Sequence, residues 1–437
     1  MTPEAFDSLL HAVADKWSVP GAQLCMSSTY ETRFSATGIA NAGDGSKLTH
    51  HTRFQLGSTT KPMLAFIAHL LAEDGKIDLD EPIDRLLPPT IRPANNVFSE
   101  VTCRHLMSHQ SGLCGDVFYD LGDDFMAEQR LVTEAAQRPK VHDPGLDVSY
   151  CNFGYVLLGQ VLEHVSGEHW SKLLDARLKC LIGSDTLKPW PGDHPTHAAI
   201  GHSDGLPVSR RSLPASNAAA GTTLIGTAFD LSQFGLLALQ SLRGDGPLTK
   251  ASAKNMVTPT RRLAPNERGL GFGSGFMVYQ DAPFVFGHDG LTIGQQAYLR
   301  VFEDSGLSLA FLGNGGDMRS AAADLFQHLA SETGTALQPP AYPKDKNTDV
   351  SDGHYARQNA SIEIVSTSSG QHLTIVNHEH WAADLYGQRE GPFELVKLPN
   401  GGIGFFKAAS ATPFRVHIQR STAYLGMRRY NRVEDMA

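Results

Sequence analysis

Apolar side chains recur near the start of the chain at Phe6, Leu9, Leu10 and Val13, the spacing of a helix with one buried face. Gly21-Ala-Gln-Leu-Cys-Met-Ser then alternates, and Phe34-Ser-Ala-Thr-Gly-Ile-Ala reads as its return strand, so a short hairpin follows the helix. From Thr59 to Glu73 the period becomes helical again, with Met63, Phe66, Ile67, Leu70 and Leu71 apolar and a stop at Asp74-Gly75. Residues 76–220 are rich in Pro, Asp and His and carry scattered helical pieces. The clearest runs from Gly154 to Val165 and is closed by Ser166-Gly167. Strand character returns at Gly275–Tyr279, Phe284–His288, Gln296–Phe302 and Leu307–Leu312, followed by a helix at 319–332. Strands at both ends with a mostly helical insert between them predict one α+β body over residues 1–336, an antiparallel sheet flanked by helices.

Residues 337–348, Leu-Gln-Pro-Pro-Ala-Tyr-Pro-Lys-Asp-Lys-Asn-Thr, read as a linker. Beyond it, helix signals nearly vanish. Ser361–Val365, His372–Val376, Phe393–Leu398, Gly402–Phe406 and Phe414–Ile418 alternate between turns, which predicts a small all-β barrel or sandwich over 349–437. There is no internal repeat and no low-complexity segment.

Composition narrows the function classes. A hydrophobic fraction of 41% and a charged fraction of 19% describe an ordinary globular chain. The net charge of −9, with no basic cluster, argues against a nucleic-acid partner. No run of about 18 apolar residues appears, so neither a spanning helix nor a membrane partner is expected. The start, Met1-Thr-Pro-Glu-Ala-Phe-Asp, lacks the basic and apolar regions of a signal peptide, and the expected compartment is the cytoplasm. Cys25, Cys103, Cys114, Cys151 and Cys180 form no C-x-x-C pair and are expected to be buried free thiols.

Three short stretches carry chemistry. In Gly57-Ser-Thr-Thr-Lys-Pro62, Ser58 and Lys61 stand three apart at a helix start, so the amine reaches the hydroxyl. A serine needs a neighbouring base, and a buried lysine at a positive helix end is pushed toward its neutral form. The S-x-x-K spacing alone arises by chance about once or twice in such a chain; its place where strand gives way to buried helix strengthens it. The second stretch is Tyr150-Cys-Asn152, a phenol able to shuttle protons and an amide able to hold a lysine and a substrate carbonyl. The third is Gly287-His-Asp-Gly290 at a strand end, where glycines let a substrate backbone approach. Taken singly, Tyr150 reads as a half-buried tyrosine and His288 as a surface histidine.

Taken in order, these stretches resemble the serine β-lactamase and penicillin-binding-protein superfamily: S-x-x-K, then Y-x-N, then a K/H-x-G triad on a strand. The nearest resemblance is to its class C-like branch of D-alanyl-D-alanine carboxypeptidases, D-aminopeptidases, alkaline D-peptidases and esterases. Arg104-His-Leu-Met-Ser-His-Gln-Ser-Gly-Leu113, Tyr155–Gly167 and Ala220–Leu231 share that branch's character, and the resemblance spans about residues 5–335. It implies Ser58 as acylated nucleophile, Lys61 as its base, Tyr150 as proton relay and Asn152 as holder of the network. It also implies an oxyanion hole from the backbone N–H groups of Ser58 and Leu291, with Asp289 and Gly290 binding substrate. His288 stands where many β-lactamases carry lysine, which weakens the case for a dedicated β-lactamase and suits peptidases, amidases and esterases. The tail resembles the lipocalin-like domain of some members.

The resemblance implies a serine hydrolase acting on a small peptide, amide or ester substrate, D-stereospecific, with no cofactor. The alternative is a stand-alone penicillin-binding-protein-type thioesterase that cyclises and releases a nonribosomal peptide from a carrier protein. An α/β-hydrolase would need a G-x-S-x-G elbow, which is absent. His194, His197 and His202, or His378 and His380, lack further ligands at diagnostic spacing, so no metal site is expected. A non-catalytic binding protein would be expected to lose Ser58, Lys61 or Tyr150. Every motif residue precedes 337, so the tail is expected to wall the cleft or hold a partner without supplying a reacting group.

Overall fold

The computed structural model describes residues 1–115, 117–189, 198–209, 212–263, 269–332, 352–357, 360–378, 389–397, 403–405, 414–419, 422–425 and 427–433. The body is built on an eight-stranded antiparallel sheet. Its order is Ser46–Lys47, Thr32–Asn41, Gly21–Ser27, Leu307–Gly313, Gln296–Phe302, Phe284–Leu291, Met277–Asp281 and Gly271–Phe272. Gly21–Ser27 lies against Leu307–Gly313 with Ala22 opposite Gly313, so the two ends of the body share one sheet, as the strand pattern predicts.

Two helices cover one face. Pro3–Lys16 buries Phe6, Leu10 and Val13, and Met318–Glu332 buries Leu325, Phe326 and Leu329, all in one cluster with Leu24 and Phe311 of the sheet. Leu9 is only half-buried at the edge of that cluster. On the other face lies Ala228–Arg243, begun by a Thr227–Asp230 capping box and ended by Gly244 in the left-handed region. Gly235 of this helix seats closely on the sheet, where a Cβ would lie 2.2 Å from Ser308 Oγ.

Thr60–Glu73 runs between this sheet and the helical insert. Every side chain from Thr60 to His69 is buried, so the helix has no solvent face through its first turns. Asn152–Ser166 is likewise buried from Asn152 to Leu162 and ends at Gly167 in the left-handed region. Its partner Ala127–Ala135 and the helices Ala228–Arg243 and Lys250–Val257 are not singled out by the sequence pattern.

The tail forms a nine-stranded antiparallel sheet. Its order is Arg389–Glu394, Gly370–Asn377, Ala360–Thr367, Gly353–Arg357, Arg428–Arg432, Thr422–Leu425, Phe414–Gln419, Ile403–Phe405 and Val396–Lys397. The two edge strands are consecutive in the chain, separated by Leu395 alone, so the sheet curls round to meet itself as a barrel. Tyr355, Ile362, Ile364, Leu373, Phe405, Val416 and Tyr430 fill it. The expected linker at 337–348 lies outside the described residues.

All five cysteines are free; four are buried, but Cys180 is exposed, which corrects the expectation for that residue. Among the described residues no helix is long and apolar enough to cross a membrane.

Candidate active site

A single 3₁₀ turn, Gly57–Thr59, carries Ser58 into the buried helix Thr60–Glu73. Gly57 sits at φ 56°, and a Cβ there would be 2.9 Å from Leu291 N. A Cβ on Gly290 would be 2.0 Å from Leu56 O and 3.3 Å from Ser58 N. The missing side chains therefore let strand Phe284–Leu291 press against the nucleophile turn. The amides of Ser58 and Leu291 come side by side, as a pair of oxyanion donors requires. Gly290 admits this close approach.

Lys61 is fully buried, with Nζ 2.9 Å from Ser58 Oγ, and it donates to the Ala220 carbonyl at 2.6 Å. Ala220 is placed by its neighbour: a Cβ on Gly221 would meet Gly57 O at 2.1 Å, so this segment lies directly on the nucleophile turn. Tyr150 stands over the amine, its ring centre 5.2 Å from Lys61 Nζ. Asn152 is buried at the first position of its helix, two residues on.

His288 completes the ring of side chains, 6.2 Å from Tyr150 between centroids, with Phe272 at 6.0 Å from His288 and 5.8 Å from Tyr150. Its Nδ1 donates to the Asp289 carbonyl at 2.7 Å, which leaves Nε2 as a bare acceptor with no partner among the described residues. Burial first, and then the charge of Lys61, lower its pKa to about 4. At neutral pH this is an uncharged acceptor and not a substitute for a lysine cation. The expectation that His288 is a surface histidine when read alone is corrected: it is buried.

Asp289 does not join the others. Successive side chains on a strand point to opposite faces, and its carboxylate pairs with Arg300 Nη1 at 2.6 Å and accepts from Tyr279 Oη at 2.9 Å. That part of the substrate-binding expectation is corrected: the carboxylate is spent on the far side of the sheet.

Further residues that the sequence analysis does not assign to the site surround it. The tail hairpin of Thr422–Leu425 and Arg428–Arg432 reaches it: Met427 O accepts from Tyr150 N–H at 3.0 Å, and the Arg428 guanidinium lies 5.1 Å from the Tyr150 ring centre. Arg429 anchors this approach by an ion pair with Asp147 at 3.0 Å, so the tail supplies charge to the site and is not merely a distant wall. His109 stacks on Tyr150 from the other side at 4.2 Å. Glu128 is buried behind the base. It accepts from Ala219 N–H at 2.7 Å and from Trp170 Nε1–H at 2.8 Å, fixing the segment whose next carbonyl holds Lys61. Arg428 and Met427 left no local signal. Glu128 did, since it stands on the apolar stripe of Leu131, Val132 and Ala135 at helical spacing.

Of the histidines considered as metal ligands, His202 uses both nitrogens within the fold, Nδ1 to Asn314 O at 2.8 Å and Nε2 from Ala42 N–H at 3.0 Å. His378 is exposed, and His194, His197 and His380 lie outside the described residues.

The arrangement puts a serine hydroxyl against a buried amine, a phenol over both, and two amides where a carbonyl oxygen would gain charge. That is the equipment of acyl transfer through a covalent serine ester. Comparison with known proteins agrees. Penicillin-binding protein 4 of Amycolatopsis lactamdurans is 31% identical over 375 residues, covering 81% of this chain and 97% of its own. The structure of SurE superposes with a TM-score of 0.76 at 25% identity, covering 99% of both chains and so including the tail. A D-stereospecific amidohydrolase from a Streptomyces species superposes at 0.62 with 25% identity, covering 77% of this chain and all of the other. The β-lactamase family model matches residues 6–332. With the Ser58 turn, buried Lys61 and the Phe284–Leu291 strand edge all lying inside that span, the chain belongs to the β-lactamase family and is a serine hydrolase.

Proposed function

We propose that Ser58 is acylated by a peptide, amide or ester substrate whose acyl residue is D-configured, and that the acyl group then passes to water. The observation that carries this reading is the 2.9 Å approach of Lys61 Nζ to Ser58 Oγ beneath Tyr150. Lys61 takes the hydroxyl proton, the Ser58 and Leu291 amides hold the oxyanion, and Tyr150 delivers a proton to the leaving group, with Asn152 steadying the pair. In the second half Tyr150 receives the proton of the attacking water. The D configuration is supported by relatives: a D-stereospecific amidohydrolase and a D-amino acid amidase share the body fold, and SurE has been solved with D-Leu.

A second reading is favoured by the tail. Its hairpin sits over Tyr150, the relay for the second nucleophile, and brings Arg428 there. A cationic roof disfavours the ammonium form of an incoming amine and so favours the neutral nucleophile. On this reading an amine within the substrate takes the acyl group, and the protein releases a peptide as a ring, from a carrier protein or a simple thioester. The test offers linear peptidyl thioesters and amides with D- or L-residues at the acyl position. Mass spectrometry reads both the Ser58 adduct and the products. Turnover of D substrates with linear acids supports hydrolysis, and cyclic products support the second reading. Equal rates on L substrates, or an adduct that survives Ser58→Ala, overturn the proposal.

A further inference from the structure

The stretch Arg104–Leu113 is explained by neither the nucleophile nor the base, yet it ends against Tyr150. His109 follows the short helix Cys103–Met107 and adopts φ 58°, a left-handed conformation that residues with a Cβ rarely take and that clusters at functional sites. The fold holds it there to make three contacts with three consecutive residues. Its carbonyl accepts from Ser149 N–H at 3.0 Å. Its ring stacks on Tyr150 at 4.2 Å, tilted by 34°. Its Nδ1 accepts from Cys151 N–H at 3.1 Å.

That last bond fixes the tautomer, because an amide N–H can only donate: Nδ1 is the acceptor and Nε2 carries the hydrogen. Nε2–H has no partner among the described residues. The imidazole is fully buried among Tyr150, Tyr155 and Phe272, with the Phe272 ring packed edge-on at 4.6 Å between centroids. Burial, followed by the charge of Lys61, keeps it well below the ordinary imidazole range, so the ring stays neutral beside Tyr150. A phenylalanine could stack here but could not accept from Cys151. The backbone around the phenol is pinned elsewhere too: Tyr150 N–H by Met427 O, and Asn152 and Phe153 N–H by Gly115 O at 2.9 and 3.1 Å. His109 is the residue that grips it from both flanks.

We propose that His109 is the positioning residue for Tyr150, holding the phenol at the distance from Ser58 and Lys61 that proton transfer to the leaving group requires. The inference rests on the reading of Tyr150 as that proton carrier. It predicts a signature that loss of stability alone does not give. A p-nitrophenolate leaves without help, whereas an anilide or alkoxide must be protonated.

The experiment compares wild type, His109→Phe, His109→Asn, Tyr150→Phe and the double variant His109→Phe/Tyr150→Phe. Each is tested on a p-nitrophenyl ester and on an anilide of one acyl group, below its melting temperature. His109→Phe is expected to lower kcat on the anilide by about tenfold to a hundredfold, with little change in KM, and by only about threefold on the p-nitrophenyl ester. His109→Asn is expected to recover part of that loss, because its amide oxygen replaces Nδ1 and asparagine tolerates the left-handed region. The double variant is expected to be no slower than Tyr150→Phe. Equal losses on both substrates, losses that multiply in the double variant, or kcat within about twofold of wild type would each overturn the proposal. So would failure of both His109 variants to fold, which would make His109 a folding residue first. If Tyr150→Phe itself is harmless on the anilide while Ser58 is still acylated, the reading of Tyr150 fails instead.

Discussion

Arg428, from the last hairpin of the chain, holds its guanidinium 5.1 Å from the ring centre of Tyr150, from which it is separated by most of the sequence. A cation over a tyrosine face contributes about 0.5–2 kcal/mol, and here it also raises the positive potential at the Tyr150 phenol, the proposed proton relay. Arg428→Ala is therefore expected to lower kcat/KM on peptide substrates by about threefold to tenfold while leaving the melting temperature within a degree or two. A larger consequence follows for truncation near Leu337. Because Met427 O also pins Tyr150 N–H, removing the tail is expected to slow even a small activated ester. Steady-state rates on both substrate classes decide: undiminished small-ester turnover in a soluble truncated protein would make the hairpin contact irrelevant to chemistry.

On the proposed mechanism Lys61 and Tyr150 share one reaction coordinate; the amine lies 2.9 Å from Ser58 Oγ and 5.2 Å from the phenol ring centre. Groups that act as a unit are not additive. Lys61→Ala and Tyr150→Phe are each expected to cost about a thousandfold or more in kcat on an amide, and the pair little more than the worse single change. Pre-steady-state acylation rates measure this; multiplicative losses would mean that the two residues serve separate steps.

His288 supplies a pH signature. Its imidazole is neutral down to about pH 4 in the folded protein, below the ordinary value of 6.5. A depressed histidine contributes stability that is complete above the unfolded pKa and is lost as pH falls from about 6.5 toward 4, by roughly 3 kcal/mol at most. His69, lowered to about 4 by burial, acts in the same direction. Denaturant titrations between pH 4 and 7 are expected to show this decline, and His288→Gln to flatten part of it. In the same variant acylation is expected to slow with the fold intact. A wild-type rate for the variant would leave His288 with no part in the reaction.

How much of this was legible in the chain follows from the range of each contact. Ser58 and Lys61 are three apart, so local helical spacing alone juxtaposes them. The strand alternation of the tail likewise marks Ser361–Val365 and His372–Val376, which fall within strands Ala360–Thr367 and Gly370–Asn377. The triad pattern groups Asp289 with its neighbours, although their side chains cannot share one face. The period of two along a strand turns Asp289 away whenever His288 faces the cleft. Arg428 and Met427 left no trace, because only the closing of the barrel and the Asp147–Arg429 ion pair bring them to Tyr150. The burial of every side chain from Thr60 to His69 was less legible, since it depends on the insert packing over a helix whose pattern shows one face.

Glu128 offers the last prediction, and its sign is opposite to that of His288. Burial raises its carboxyl pKa to about 8 and that of neighbouring Glu163 to about 7. A raised carboxyl contributes stability that is complete below the unfolded value near 4.5 and is lost as pH climbs through about 8. Its two oxygens meanwhile accept from Ala219 N–H and Trp170 Nε1–H, so removing them leaves buried donors unpaired at about 1–3 kcal/mol each. Glu128→Ala is thus expected to destabilise at every pH. Glu128→Gln keeps one acceptor and abolishes the titration, so its stability should be lower at pH 5 yet change less between pH 5 and 8 than that of wild type. Because Ala219 N–H steers the Ala220 carbonyl that holds Lys61, both variants should also lose kcat with KM little changed. Chemical denaturation across that pH range, paired with ester kinetics, separates the two effects. A Glu128→Gln protein whose stability follows the wild-type pH curve would show that Glu128 does not titrate there. One with full kcat would show that Lys61 is held without it.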